Sequence, residues 1–441
     1  MRIHSLTIAA CILLILGGAL YWSNHHQANE ESTKISADTP PVILKLDQAA
    51  ITAVELKKKG SEPIALAKSS SGDWHIAEPK PLRADQSAVS GIVSTLSSLN
   101  SQRVVEDKAS DLKTFGLENP PLEVDLTEKD NKSKKLLLGD ETPASSGVYA
   151  MVAGDPRVFT IASWEKSSLD KSLNDLRDKR LLPVTADKIS RVELVRNGQD
   201  IEFGRNKDGW QILKPKPLRA DGTQVGDLVR QLTDAKMDLS GSDANSASSA
   251  FVHAAPLATA KVTDESGTQE LQIRKNKDTY YAKSSAVEGA YKIDSALGKE
   301  LDKSVDDFRN KKLFDFGYND PNRIELHNGS KSYFLTRGTA GSEDWWSNGK
   351  KMNYDNVDSL ISDLRDLSAN KFADSSFSSP GIEVTVTSDD GKRTEKVQIA
   401  KSGDHYVAKR ENEPSLYELE SKSVDDLLKA ADEIKPAENK K

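Results

Sequence analysis

The chain repeats itself. Trp74, Trp210 and Trp345 stand 136 and 135 residues apart, and the first two open near-identical stretches. Trp74-x-Ile76-x-x-Pro79-Lys80-Pro81-Leu82-Arg83-Ala84-Asp85 is matched by Trp210-x-Ile212-x-x-Pro215-Lys216-Pro217-Leu218-Arg219-Ala220-Asp221. Seven consecutive identical residues at one offset do not arise by chance. A chain of this kind folds as a tandem array of one module, and every other feature is read against that period.

The 441 residues suffice for about three domains of ~150 residues. Each copy is long enough to bury a core of its own. The formal net charge is −7, without the basic excess that phosphate backbones demand, so nucleic acid is not an expected partner. Cys11 is the one cysteine. A thiolate nucleophile, a Cys-bound zinc and a disulfide are therefore excluded from everything after it.

Leu6 to Trp22 is almost wholly apolar and follows Met1-Arg2; the next cation is Lys34. As a helix it spans roughly 25 Å, at the short end for a bilayer core of ~30 Å, with Tyr21-Trp22 suited to the interface. The sequence predicts a cytoplasmic stub (1–5), a single-pass signal anchor (6–22) and a polar tether (23–49), with the bulk outside the cell membrane. Ile8-Ala9-Ala10-Cys11 resembles a lipobox, but the strongest apolar stretch follows the cysteine, the reverse of a lipoprotein signal. A cleaved signal peptide lacks its small-x-small site.

Three modules are expected at 50–183, 188–316 and 320–434, followed by a polar tail (435–441). Each opens on a strand pattern, Val54-Glu55-Leu56, Val192-Glu193-Leu194 or Ile324-Glu325-Leu326, then a hairpin whose returning strand carries the Trp. Pro-x-Pro cannot lie inside a sheet, so it marks an edge crossing. A helix follows. Val89, Ile92, Val93 and Leu96 after Asp85, Val225, Leu228, Val229 and Leu232 after Asp221, and Val357, Leu360, Ile361 and Leu364 after Asn353 share one set of offsets. Asp85, Asp221 and Asn353 thereby become equivalent N-cap residues. Trp345 to Asn353 is 8 residues where Trp74 to Asp85 is 11, so the third copy reads as having lost the Pro-Lys-Pro-Leu-Arg-Ala signature with its arginine. Alternating strands then resume, and each unit closes on a short helix beginning Lys171-Ser172, Lys303-Ser304 or Lys422-Ser423. Strands before and after a helix, without strict alternation, imply α+β: an N-terminal transmembrane helix, then three tandem modules of mostly antiparallel sheet with packed helices.

These features together resemble the bacterial domain-of-unknown-function 4340 (DUF4340) family. They are the Trp-x-Ile-x-x-Pro-x-Pro segment and its helix, Phe115-Gly116-Leu117 ahead of Pro120 and Val124, the Tyr-Ala strand, and the closing Lys-Ser-x-x-Asp turn with Asp175-Leu176-Arg177-Asp178-Lys179 or Asp307-Phe308-Arg309-Asn310-Lys311. The resemblance covers roughly residues 50 to 434. The resemblance implies a membrane-anchored extracytoplasmic component of the kind often encoded beside ABC-type transporter subunits and gliding-motility-like auxiliary proteins. It brings no catalytic residues with it.

The sequence shows no His-x-x-x-His pattern, no Walker loop and no Gly-x-Ser-x-Gly elbow. No catalytic, metal or cofactor residue is expected, and the chain reads as a non-enzyme. Arg83 and Arg219 are read as bracing the Pro-rich crossing, with a guanidinium fork for a partner carboxylate as the functional alternative. Trp74, Trp210 and Trp345 are read as core anchors. Trp345 and Trp346 are adjacent on a strand, so one must face away from the core and offers a candidate partner surface. The leading expectation is a scaffold or auxiliary subunit of an envelope ABC-type transport complex, contacting the bilayer through 6–22 and a protein partner outside it. A periplasmic glycan or lipid binder is the alternative, favoured if Trp74 and Trp210 are exposed in a groove. An unrecognised hydrolase is the distant third.

Overall fold

The structure is a computed structural model that describes residues 41–143, 146–240, 244–317, 321–338, 344–374 and 377–438. The expected anchor at 6–22 and most of the tether lie outside these residues. Among the described residues no helix is long and apolar enough to cross a membrane.

Three antiparallel sheets carry the fold. In the first module β1 (Ile51–Lys58), β2 (Ile64–Lys68), β3 (Trp74–Glu78) and β4 (Leu82–Arg83) run outward by successive hairpins. Helix α1 (Gln86–Ser97) brings the chain back across the sheet to the far edge strand β5 (Arg103–Glu106). Strand β6 (Leu122–Glu128) then pairs with β1, and β7 (Ser133–Glu141), β8 (Gly147–Val152) and β9 (Val158–Ala162) run out to meet β5. The order is β4-β3-β2-β1-β6-β7-β8-β9-β5. The third module repeats it with nine strands from Arg323 to Leu419, and the second shows eight from Arg191 to Ile293. Among the described residues of the second no far edge strand is present, and one backbone bond, Asp238 N–H to Lys292 C=O (3.0 Å), marks its place.

Helix α1 forms because its apolar residues recur at helical spacing and its first turn is capped. Asp85 is extended, and its carboxylate accepts from the Ser87 and Ala88 amides at 2.9 and 3.1 Å. Val89, Ile92, Val93 and Leu96 are buried against the sheet, each contributing roughly 1.5–3 kcal/mol of apolar burial. Gln86 ties the helix to the hairpin by accepting from the Trp74 amide and donating to the Trp74 carbonyl, both at 2.8 Å. Two short helices follow in this module, α2 (Ser163–Leu169) and α3 (Leu173–Leu176). The second has α4 (Gly222–Thr233) capped by Asp221, α5 (Ala244–His253) and α6 (Ser295–Glu300). The third has α7 (Tyr354–Asp366) capped by Asn353, and α8 (Ser421–Asp432).

The Ser-x-x-Asp closing turn has a local cause. Ser172 and Ser304 each donate N–H and Oγ–H to the carboxylate three residues on, Asp175 and Asp307. Those bonds hold both carboxyls below the usual aspartate range. In the third module the same residues lie inside the continuous helix α8, which Glu420 begins. A Ser/Ala-rich stretch of the second module contains α5, whose Phe251 is buried.

Four boundaries move relative to the sequence reading. Leu181 and Leu182, assigned to the first module, pack in the core of the second, and Leu313, Phe314 and Phe316, assigned to the second, pack in the core of the third. Residues 41–46, assigned to the tether, belong to the first module: Ile43 and Leu44 donate to the Leu99 carbonyl, and Leu44 is buried. The tail does likewise for the third, where Ala437 N–H donates to Lys351 C=O and Met352 bridges Pro436. The reason is a recurrent pairing invisible to side-chain periodicity. In every module the segment after the closing helix pairs with the residue before the N-cap, as Ala84↔Arg177, Ala220↔Arg309 and Met352↔Pro436.

The chain divides at Lys179/Arg180 into two compact units, one holding the first module and the other the second and third.

Candidate functional site

The recurrent pairing settles which residues correspond. On the returning hairpin strand His75 opposes Arg83, Gln211 opposes Arg219 and Trp346 opposes Lys351. The third copy has not lost its cation; it reaches the same position by a shorter crossing and places Lys351 there.

Arg219 lies at the junction of the second and third modules and does not brace the Pro-rich crossing. Its Nη1 pairs with Asp315, and its Nη2 donates to the Lys312 carbonyl and, at 3.1 Å, to Tyr417 Oη. Its Nε lies 2.9 Å from Glu413. Tyr417, 1 % exposed, donates to Glu413 at 2.7 Å. Burial alone would lower the Arg219 guanidinium, but Asp315, Tyr417 and Glu413 more than offset it and hold it fully charged, above its ordinary range. The Tyr417 phenol is raised, first by burial; Arg219 opposes that shift and Glu413 adds to it.

Behind Arg219 the network runs into the third core. Arg410 donates Nε to Glu413 at 2.7 Å, Nη2 to Glu395 at 3.0 Å, and Nη1 to the Leu313 carbonyl. Glu395 also accepts from the Asp315 amide at 3.1 Å through both oxygens. Arg393 lies 3.2 Å from Glu395 and 3.6 Å from Asp315. From the second module Arg309 donates to Ser415 at 2.7 Å and stacks over Phe372, its guanidinium carbon 3.2 Å from the ring centroid. With Asp306 beside Arg309, four guanidiniums face four carboxylates. The linker itself is stitched to both sides, bridging Ala220 through Arg309 and Ser368 through Lys312.

Balanced and partnered, this cluster can lock two sheets; it presents no activated nucleophile. Glu395 and Arg410 were missed by sequence reasoning, yet a signal existed. Glu395 shares the inward parity of Val397 and Ile399, and Arg410 that of Tyr406 and Ala408. A charge at core parity on each of two neighbouring strands announces a buried ion pair.

The remaining candidates are not gathered into one site. Trp74 and Trp345 are buried, and Trp210 is partly buried against its core. Trp346 is 42 % exposed on the opposite sheet face. Arg83 lies 3.5 Å from buried Asp178 within the first unit. Asp85, Asp221 and Asn353 cap helices. A groove of about 270 Å³ in the second module is lined by Val195, Leu257, Gln272 and Arg274, and Arg274 is engaged by the Phe251, Val252 and Ala254 carbonyls. Among the described residues no group of three or more His, Cys, Asp or Glu is placed to hold a metal ion.

A family model described as Domain of unknown function (DUF4340) matches residues 74–214 and 210–383, more than half of the chain. No curated protein and no solved structure matches.

Proposed function

The chain belongs to the DUF4340 family, and from that premise we propose that it is a non-catalytic scaffold or auxiliary subunit of an envelope transport complex of the ABC type, anchored through residues 6–22 with its modules outside the membrane. The observation that carries the reading is the ionic junction. Arg219, part of the seven-residue stretch shared with the first copy, is spent on fixing one module against the next, which suits a rigid presenting surface better than a cleft that must open around a substrate. The burial of Trp74 and the packing of Trp210 against its core support it further, because a sugar-stacking platform needs an exposed ring face. The apolar run and the positive charge before it support the anchor and its orientation.

Cross-linking in intact cells, followed by mass spectrometry of what co-purifies with the full-length chain, tests the reading. A stoichiometric ABC-type membrane subunit is the expected product. Recovery of glycan or lipid without a stoichiometric protein would overturn it in favour of a periplasmic binder.

A further inference from the structure

The junction also predicts a surface. The second module grips the third with one edge: Arg219 on the short edge strand paired with its returning hairpin strand and Arg309 on the segment paired beside it. The third module builds the same edge from the same pairings. Lys351 stands where Arg219 stands, Trp346 where Gln211 stands, and Pro436 where Arg309 stands. Lys350 and Lys351 are exposed, Trp346 is 42 % exposed, and Tyr354 at the start of α7 is also exposed. Lys351 holds Asp344 at 2.7 Å in an ion pair half open to water, which contributes little and exchanges readily. Trp346 lies directly opposite Lys351 across the hairpin, which sets a part-exposed indole, a side-chain type enriched at binding hot spots, beside a cation.

We infer that this edge of the third module, centred on Trp346 and Lys351, docks a partner protein through a surface of that partner bearing a carboxylate next to a tyrosine or phenylalanine. The chemistry is copied from the molecule itself. The equivalent edge of the second module receives Glu413 and Asp315 on its cation and Tyr417 beside it. Lysine in place of arginine gives up the planar fork, and Trp346 supplies apolar area that Gln211 does not. The inference rests on the scaffold reading and deepens it by naming the surface.

The test uses the full-length chain in its own membrane with a photo-reactive phenylalanine derivative replacing Trp346, and a second chain carrying it at Trp164, an exposed aromatic of the first module. The expected product at position 346 is a conjugate to a peptide holding an acidic residue within a few positions of Tyr or Phe. Lys351→Glu should lower its yield at least tenfold, and reversing the partner's acidic residue to Lys should restore it. Unchanged melting of Lys351→Glu secures the comparison. Conjugates only to the chain itself, to an oligosaccharide or to a peptide without an acid, or a yield indifferent to Lys351→Glu, would overturn the inference. If general cross-linking still recovers a transport subunit, the scaffold reading survives that failure; if it does not, both fall.

Discussion

Arg219→Ala is the perturbation that discriminates most sharply among accounts of this fold. The guanidinium reaches Asp315, the Lys312 carbonyl, Tyr417 and Glu413, and the charged side chains are each about one-fifth exposed. Removing one partner of a fully buried ion pair costs about 3–5 kcal/mol. Two features reduce that figure here. Water reaches part of the cluster, and Asp315 and Glu413 keep other partners in Asn310, Arg393 and Arg410. The expected loss is about 2–3 kcal/mol, between a charge-assisted hydrogen bond and a fully buried pair. Because the chain has several units, a single melting temperature would blur the effect. Backbone hydrogen exchange reads it locally. Amides at 313–315 and 415–417 should exchange roughly 30- to 150-fold faster, the equivalent of that loss at 1.4 kcal/mol per tenfold. Arg219→Lys should recover less than half, since the fork is lost. Arg230→Ala is the control. Its pair with Asp227 is exposed and should change exchange by no more than about twofold. Exchange in the junction that stays within twofold of the parent in Arg219→Ala would refute the claim that this arginine holds the modules together.

Three further outcomes follow from the same geometry. Asp221→Ala removes the acceptor for the Thr223 and Gln224 amides and should lower the local stability of α4 by about 1 kcal/mol, read by exchange within Gly222–Thr233. Gly139→Ala should cost at least about 2 kcal/mol in urea unfolding, because an added Cβ would lie 2.1 Å from the Phe115 carbonyl oxygen, a backbone atom that cannot swing aside. Glu165, 7 % exposed, has its carboxyl raised above the usual range by burial, partly offset by the Ala162 and Asn100 amides. A raised folded value means that the protonated acid suits the fold, so its contribution is fully present below the unfolded value of 4.5 and is lost as pH rises through the folded value. Glu165→Gln keeps an acceptor for the Ala162 amide and should gain stability over the parent as pH rises from about 4 to 7; a constant difference across paired urea titrations would contradict this.

The repeat, the helices and the caps were legible because each rests on side-chain type at fixed spacing. Val89, Ile92, Val93 and Leu96 declare a helix face by period alone, and Asp85 declares its start. The junction was not legible for the opposite reason. Asp315 and Glu413 occupy positions that differ between copies: Pro183 stands in the first copy where Asp315 follows Leu313-Phe314, and Val287 stands in the second where Glu413 stands in the third. A comparison that rewards identity between copies passes over the residues that make one junction unlike another. The shortened third crossing misled for a related reason. Identity of sequence vanished there while the backbone pairing that defines the position, Trp346↔Lys351 with Met352↔Pro436, persisted. The motif Phe115-Gly116-Leu117 was visible, but its cause was not. Gly116 adopts φ +66°, a left-handed conformation that favours glycine.

Pairing equivalence also explains why one position of the sheet is aromatic in all three copies. Phe159, Tyr291 and Tyr417 oppose Ala150, Ala282 and Ala408. In the third module that ring receives Arg219 from the module before it, the guanidinium carbon 5.9 Å from the centroid. In the first, the guanidinium over Phe159 belongs to the same module. Arg157 stands 4.9 Å from the ring centroid and pairs with Asp155 at 2.6 Å, and its hydrogen bonds hold the Asp155 carboxyl below its ordinary range. The same ring-and-cation contact is thus made in trans between modules in one place and in cis within a module in another. A contact that docks one copy on the next can also be satisfied within a single copy. Arg157 is the self-satisfied version. Arg157→Glu should therefore uncover the Phe159 face without disturbing the junction. Hydrogen exchange should rise in Val158–Ala162 and stay unchanged at 313–315. Equal changes in both segments would show that the two contacts are not alternative forms of one device.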